Sequence, residues 1–299
     1  MKTNRFSEKE PTLLSAIDLK SRKYRFIYWT MFSMLCVLAC ICIFPILWVF
    51  MSAFKDLNEF LSVPPTLFPH SFHPEKVLFV WEKLNFGKYY YNSVVIIIGN
   101  LISCLLFNGI LGYVLSRLRP KGHHILFLLI FWTMLIPHSM NMVPLYMSFV
   151  DMPIFHINMT NTYLPLFIMA GANAYETLLF KSFFDGIPDS YIEAAKIDGC
   201  TNLGIFFKII VPISKPIIMV VSIFSVQASW GAFFWPYLVL SDEAKHPVSV
   251  ILYSFGTGTS MSQDQYVIVL MFAILPVLIL FSVFSKYILG GSNMSGVKG

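Results

Sequence analysis

The chain has 299 residues, 57% of them hydrophobic and 12% charged, with a formal net charge of +5 and a mean hydropathy of +0.69. These values lie far from soluble averages and exclude a soluble enzyme. The positive surplus needs no nucleic-acid partner, because Lys and Arg collect on one side of the predicted topology.

Residues 1–25 are polar and carry seven of the basic side chains. The apolar run that follows is of full span length, so the start reads as a cytoplasmic arm and not as a cleavable signal. Charge-free stretches cover 26–54, 89–116, 122–150, 152–175, 216–241 and 265–285. Each exceeds the roughly 20 residues a helix needs to cross a 30 Å hydrocarbon core. Six spans are therefore predicted near 27–51, 92–116, 125–148, 161–181, 209–235 and 265–288. The external segment 52–91, with Pro64, Pro65, Pro69 and Pro74, is too short and too poor in alternating strands to be a receptor domain. The expected fold is an all-α polytopic membrane protein: arm 1–25, one six-helix transmembrane domain 26–289 and a cytoplasmic tail 290–299.

Between the fourth and fifth spans the chain reads EAAKIDGCTNLGIFFKIIVPISKP over 193–216, a charged, small-residue island between apolar segments. Pro188 suits a first helical turn, Asp189 favours the positive helix end, and Gly199 supplies a left-handed stop. A helix over 188–198 is predicted, about 16 Å long. Thr201 is the expected cap of the next helix. An even number of spans puts both termini on one side, and that side holds every Lys and Arg except Lys55, Lys76, Lys83, Lys88 and Lys245. Positive-inside bias places the termini and this island in the cytoplasm.

No phosphate-binding loop is present, since the Gly87-Lys88 pair is followed by Tyr89. Cys36, Cys40, Cys42 and Cys104 lie within spans and Cys200 in the island, which suggests neither a disulfide framework nor a metal site. No nucleophile–base pair stands out, and no catalytic residue is assigned.

Glu193-Ala194-Ala195, Gly199 four residues on, then Ile209 and Val211-Pro212 resemble the EAA loop of ABC importer permeases. Further matches point to the smaller permease of the maltose-type, carbohydrate-uptake importers: Pro45-Ile46-Leu47-Trp48 with Ser52-Ala53-Phe54-Lys55, Tyr91-Asn92-Ser93, Ile136-Pro137 with Met142 to Tyr146, Asn161-Thr162-Tyr163, and Ser229-Trp230 with Phe233 to Pro236. The resemblance implies a type I importer permease in the bacterial cytoplasmic (inner) membrane, its EAA loop at about 185–212. It also implies a second permease, two ATPase domains that hold ATP and magnesium, and an extracytoplasmic solute-binding protein that delivers sugar; this chain itself would bind no cofactor. Glu193, Ala194, Ala195, Asp198 and Gly199 would receive the ATPase motion, and the tail 290–299 would run between the ATPase subunits. The external loop 240–265, with Gly256, Thr257 and Gly258, would contact the binding protein. Trp230-Gly231-Ala232 departs from the family's usual acidic residue after that Trp, which puts an inherited role for Ala232 in doubt.

Polar groups inside spans are costly unless they face a cavity or another helix, so Asn100, Asn108, His138, Asn141 and Gln227 are candidates for the solute path. Trp230, Phe233 and Trp235 offer stacking faces or an interfacial belt. Helix packing is the plainer reading for each. A nucleotide-independent secondary transporter or channel is the alternative, weakened by a lone boundary carboxylate, Glu176; an ABC permease for a non-sugar solute is another.

Overall fold

The computed structural model describes residues 22–257 and 261–290, and all regular elements among them are helical. The chain forms two compact units, 1–73 and 74–299.

In the first unit, α1 (Arg22–Ser52) runs for 31 residues, about 46 Å of helix. Its Phe26, Trp29, Met34 and Leu35 are exposed, as suits a lipid-facing span. The short α2 (Leu57–Phe60) follows. Ser52, Ala53 and Lys55 of the Ser-Ala-Phe-Lys motif are all buried. Lys55 Nζ donates to the Thr66 carbonyl at 2.5 Å and sits 4.4 Å from the Trp48 ring centroid. Desolvation lowers its pKa. Glu59 Oε1 accepts from Thr66 Oγ1 at 3.0 Å and the His70 amide at 2.9 Å. Burial raises the Glu59 pKa, but these bonds more than offset it and leave it below the ordinary carboxylate value. The motif is thus a lock for the loop that follows α1.

The second unit begins with α3 (Pro74–Lys83) and α4 (Phe86–Leu118), a 33-residue helix. α5 (His123–Leu135) and α6 (His138–Val150) follow, then α7 (Leu164–Gly171) and α8 (Ala174–Asp185). The island forms α9 (Asp189–Ile197) and α10 (Asn202–Ile213). α11 (Lys215–Gly231), α12 (Phe234–Val239), α13 (Val248–Thr257) and α14 (Gln263–Gly290) complete the chain.

Among the described residues, only α1, α4 and α14 are single helices long and apolar enough to cross a membrane; α5 with α6, and α10 with α11, qualify as bent pairs. Of the expected spans, the third and fifth are bent and the fourth is divided. The third breaks at Pro137, which has extended ψ and no amide hydrogen to continue the helix. The fifth bends by 81° near Ser214, between Pro212 and Pro216.

The fourth is two helices parted at Ala172-Asn173. Asn173 leaves helical geometry to cap α8, accepting from the Glu176 amide at 3.2 Å. Asn108 satisfies what the break exposes. Its Nδ2 donates to the Ala170 carbonyl at 2.9 Å, and its Oδ1 accepts from the Asn173 amide and Thr177 Oγ1, each at 3.2 Å. Buried polar groups in a span must find such partners. Asn108 is fully enclosed and committed to this joint.

Close helix contact depends on small residues in α4. A Cβ on Gly112 would lie 2.7 Å from Phe180 Cβ and 3.0 Å from the Lys181 amide nitrogen, and one on Gly99 would meet the Phe167 ring. Wide, π-type turns at Cys104–Asn108 and Val114–Leu118 shift the register of α4 around this crossing.

The end of the second unit around 239–248 is held by two of the recognised motifs. Asn92 Nδ2 donates to the Ala244 and His246 carbonyls at 2.9 Å, and Ser93 Oγ accepts from the Val248 amide at 2.9 Å. Asn161 accepts from the Asp242 amide (3.1 Å) and from Lys245 Nζ (2.7 Å), and Tyr163 Oη donates to the Lys245 carbonyl (3.1 Å). The expected external loop 240–265 is accordingly ordered over much of its length, with α13 inside it.

Candidate functional site

The corner at 188–204 follows from local chemistry. Pro188 precedes α9 and Asp189 opens it; Asp198 ends it, and Gly199 takes φ +79. The Cys200 amide donates to the Ala195 carbonyl at 2.9 Å and the Gly199 amide to the Lys196 carbonyl at 3.0 Å, closing the helix in the glycine-stop manner. Thr201 Oγ1 accepts from the Gly204 amide at 3.2 Å and caps α10.

The two faces of α9 differ. Ile192 and Ala195 are buried in a core with Tyr113, Phe184, Ile205 and Phe206. Tyr191, Glu193, Ala194, Asp198 and Gly199 are exposed, and Ile197 is 87% exposed. Of the five residues expected to receive motion, Ala195 therefore faces the chain's own interior and the other four face outward.

Beside this corner, Asp185 accepts from Ser116 Oγ and Lys181 Nζ, both at 2.7 Å. Burial raises its pKa, but the two hydrogen bonds and the nearby cations more than offset that and hold it below the ordinary 3.8. A carboxyl with a depressed folded pKa stabilises fully above the unfolded value and loses that contribution as pH falls through the folded one. Hydrogen exchange at 185–191 is expected to give constant intrinsic-rate-corrected protection from pH 8 to about 5, with loss only below the ordinary Asp range. Loss already near pH 6 would show that this pairing does not hold the corner.

A cavity of about 200 Å³ lies between α4, α7, α8, α11 and α12. Its polar wall is Asn100, Asn173, Glu176, Ser225 and Ser229, and its apolar wall includes Ile96, Met169 and Trp235. Asn100 Nδ2 donates to Ser229 Oγ at 2.9 Å, while its Oδ1 is buried without a partner. Glu176 is 5% exposed; its Oε2 accepts from Cys104 Sγ at 2.8 Å and Asn108 Nδ2 at 3.1 Å. The wall thus presents acceptors, which suits a ligand rich in hydroxyl donors.

The structure sorts the expected path residues. Asn100 and Trp235 line the cavity. Asn108 reaches it only through Glu176. Trp230 instead ties α11 to α14, its Nε1 donating to the Ala273 carbonyl at 3.2 Å with its ring 5.9 Å from that of Tyr90. Phe233 stacks with Tyr237 and Tyr253, at 5.3 and 4.4 Å. Asn141 and Gln227 are exposed, away from the cavity lining. His138 opens α6, and its side chain lies outside the described set. Glu176 was read from sequence as a boundary residue; its burial depends on Cys104 and Asn108 from another span, for which the sequence holds no local signal.

Gly256 and Thr257 close α13 and are exposed. A Cβ on Gly256 would meet Tyr266 Oη at 2.6 Å. Gly258 and the tail 291–299 lie outside the described residues. No cluster of three metal-ligating side chains occurs among the described residues.

Residues 108–290 match the family described as binding-protein-dependent transport system inner membrane component. The arabinooligosaccharides transport system permease protein AraQ of Bacillus subtilis is 31% identical over 283 residues, covering 92% of this chain and 96% of that one. The polygalacturonan/rhamnogalacturonan transport system permease protein YtcP of the same organism is 30% identical over 293 residues, with 93% and 100% coverage. The diacetylchitobiose uptake system permease protein NgcG of Streptomyces coelicolor is 29% identical, with 84% and 82% coverage. A solved bacterial ABC transporter that imports the acidic polysaccharide alginate has a chain of the same fold, with TM-score 0.81, 22% identity and coverage of 89% and 98%. The helical bundle, the exposed α9 and these matches together place the chain in the binding-protein-dependent transport system inner membrane component family, as the permease subunit of an ABC importer.

Proposed function

We propose that this permease carries a sugar or oligosaccharide past the Asn100–Glu176 cavity, driven by ATPase subunits that dock on α9. The observation that carries the reading is the division of α9: Ile192 and Ala195 anchor it in the core, while Glu193, Ala194 and Ile197 stand free for a partner. In this scheme a second permease completes the path, a solute-binding protein delivers solute to the external end near Gly256 and Thr257, and both termini lie in the cytoplasm. ATP and magnesium belong to the ATPase pair. The names of the relatives, which concern arabinooligosaccharides, polygalacturonan/rhamnogalacturonan and diacetylchitobiose, support a carbohydrate solute, as does an acceptor-lined wall beside Trp235.

The test is purification of the complex from its native cells in mild detergent, with ATPase assay and uptake of radiolabelled arabinotriose, galacturonate trimer and diacetylchitobiose by those cells. A co-purified ATPase, together with uptake of one of these solutes, is expected. Glu176→Gln keeps an acceptor for Cys104 and Asn108 but puts an amide donor in place of the second carboxyl oxygen. Loss of one acceptor contact to the solute, worth about 1 kcal/mol, lowers uptake roughly fivefold without loss of ATPase. Uptake within twofold of the parent would remove the cavity from the path. A stable chain recovered without any ATPase would sink the docking reading.

A further inference from the structure

Arg117 ends α4 from within the wide turn Val114–Leu118, and its side chain is only 7% exposed. A guanidinium presents five N–H donors in a rigid planar fork. Here Nε donates to the Phe184 carbonyl at 3.0 Å. Nη2 reaches the carbonyls of Phe184 and Ile187, and Nη1 pairs with Asp189. The Phe184 carbonyl belongs to the C-terminal end of α8, where the helix dipole favours a cation. The Ile187 carbonyl lies in the corner, and Asp189 is the first residue of α9. One side chain therefore joins the second span, the end of α8 and the start of the exposed helix.

The kind of acceptor decides what such a joint transmits. A bond between two side chains slackens when either changes rotamer. A fork on two main-chain carbonyls follows the backbone of the corner itself, and its planar geometry resists rotation as well as separation. Ser116 and Asp185 add a second bond between the same two elements, and Arg119 Nε returns to the Ser116 carbonyl at 2.7 Å, fixing the end of α4 from which Arg117 projects. A displacement of α9 thus reaches α8 through the covalent chain and α4 through Arg117.

The geometry points to Arg117 as a positioning residue that makes the cytoplasmic end of α4 move with α9 as one body when a docked ATPase pair closes. This rests on the docking reading given above, but it assigns to the second span a motion that its sequence separation from the coupling helix would not suggest.

The test uses the intact complex with labels introduced through unnatural amino acids, which leaves the five native cysteines untouched. One pair, at Lys121 and Lys196, spans the joint; a second, at Lys196 and Glu243, reports whether α9 moves relative to the external end. Distances are read by electron paramagnetic resonance before and after trapping with ATP, magnesium and vanadate. The second distance is expected to change while the first holds to within about 2 Å, the scale of ordinary packed-helix shifts. In Arg117→Gln the first distance is expected to change on trapping, with basal ATPase within twofold of the parent. Arg117→Lys keeps a charge for Asp189 but has no fork for the two carbonyls, and should behave like the Gln variant.

A parent complex in which both distances change overturns the proposal, as does a Lys variant whose first distance still holds. If the Gln variant fails to assemble, the parent distances and the Lys variant decide the matter. If no ATPase co-purifies and neither distance responds, the docking reading itself falls, and the joint falls with it for want of a motion to carry.

Discussion

Replacing Gly199 with aspartate is expected to leave the chain inserted and assembled while uptake falls at least tenfold, with basal ATP hydrolysis retained. The backbone at this position is left-handed, with φ +79, and nothing lies within 4 Å of where a Cβ would stand. Steric clash is therefore absent, and the fold bears only the conformational cost of a non-glycine residue there, about 1–2 kcal/mol. Aspartate tolerates this region better than most residues, which keeps the cost at the low end. The larger effect is on the partner side, where a side chain and a negative charge enter the turn that ends α9. Gly199→Ala separates the two contributions: it carries at least as much backbone strain without the charge and should reduce uptake less. Uptake and ATPase are measured in cells and in the purified complex respectively; normal coupled uptake by the Asp variant would count against the docking role of this corner.

Gly112→Val is expected to act on the fold instead. The added carbon atoms would meet Phe180 Cβ, the Lys181 amide nitrogen and the Thr177 carbonyl oxygen, at 2.7 to 3.1 Å for Cβ alone. None of these atoms swings aside on a rotamer change, so α4 and α8 must separate. Overpacking costs about 1–3 kcal/mol even where neighbours relax, and a membrane bundle recovers little elsewhere, since lipid does not drive helices together. The amount of assembled complex and its thermal midpoint should both drop sharply. At Gly99 the obstructing group is the edge of the Phe167 ring, which can rotate, and Gly99→Ala should be milder. A Gly112→Val complex with an unchanged midpoint would show that the crossing is looser than its contacts indicate.

The contrast between these glycines bears on what the sequence could reveal. The corner at 188–204 is legible almost residue by residue, because Gly199 and Thr201 act on backbone groups within a few positions of themselves. The membrane character and the approximate span positions were legible too, since charge-free length is a local property. Breaks were harder. Pro137, Pro212 and Pro216 announce possible kinks, yet the 81° bend near Ser214 depends on how the two halves pack. The break at Ala172-Asn173 is stabilised by Asn108, more than 60 residues away, and no periodicity links them. For the same reason the sequence offers Asn108 and Trp230 as path candidates with helix packing as the plainer reading, and only the fold shows the packing: Asn108 at the joint and Trp230 on the Ala273 carbonyl of the last helix. Glu176 reads as a boundary residue in the sequence and borders the cavity in the fold. The Tyr91-Asn92-Ser93 and Asn161-Thr162-Tyr163 motifs were visible as resemblances, but their shared task, holding 239–248, appears only when the chain is folded.

Ala194 and Ala195 are neighbours in sequence, one exposed and the other 4% exposed. Their smallness answers to different surroundings: Ala195 must fit a core built by this chain, whereas Ala194 is free of it. On the docking proposed for α9, complementarity to self and complementarity to a partner would be written in separate positions one residue apart. Substitution at Ala194 and its outward neighbours would then change the ATPase served, while the packing behind α9 stays as it is.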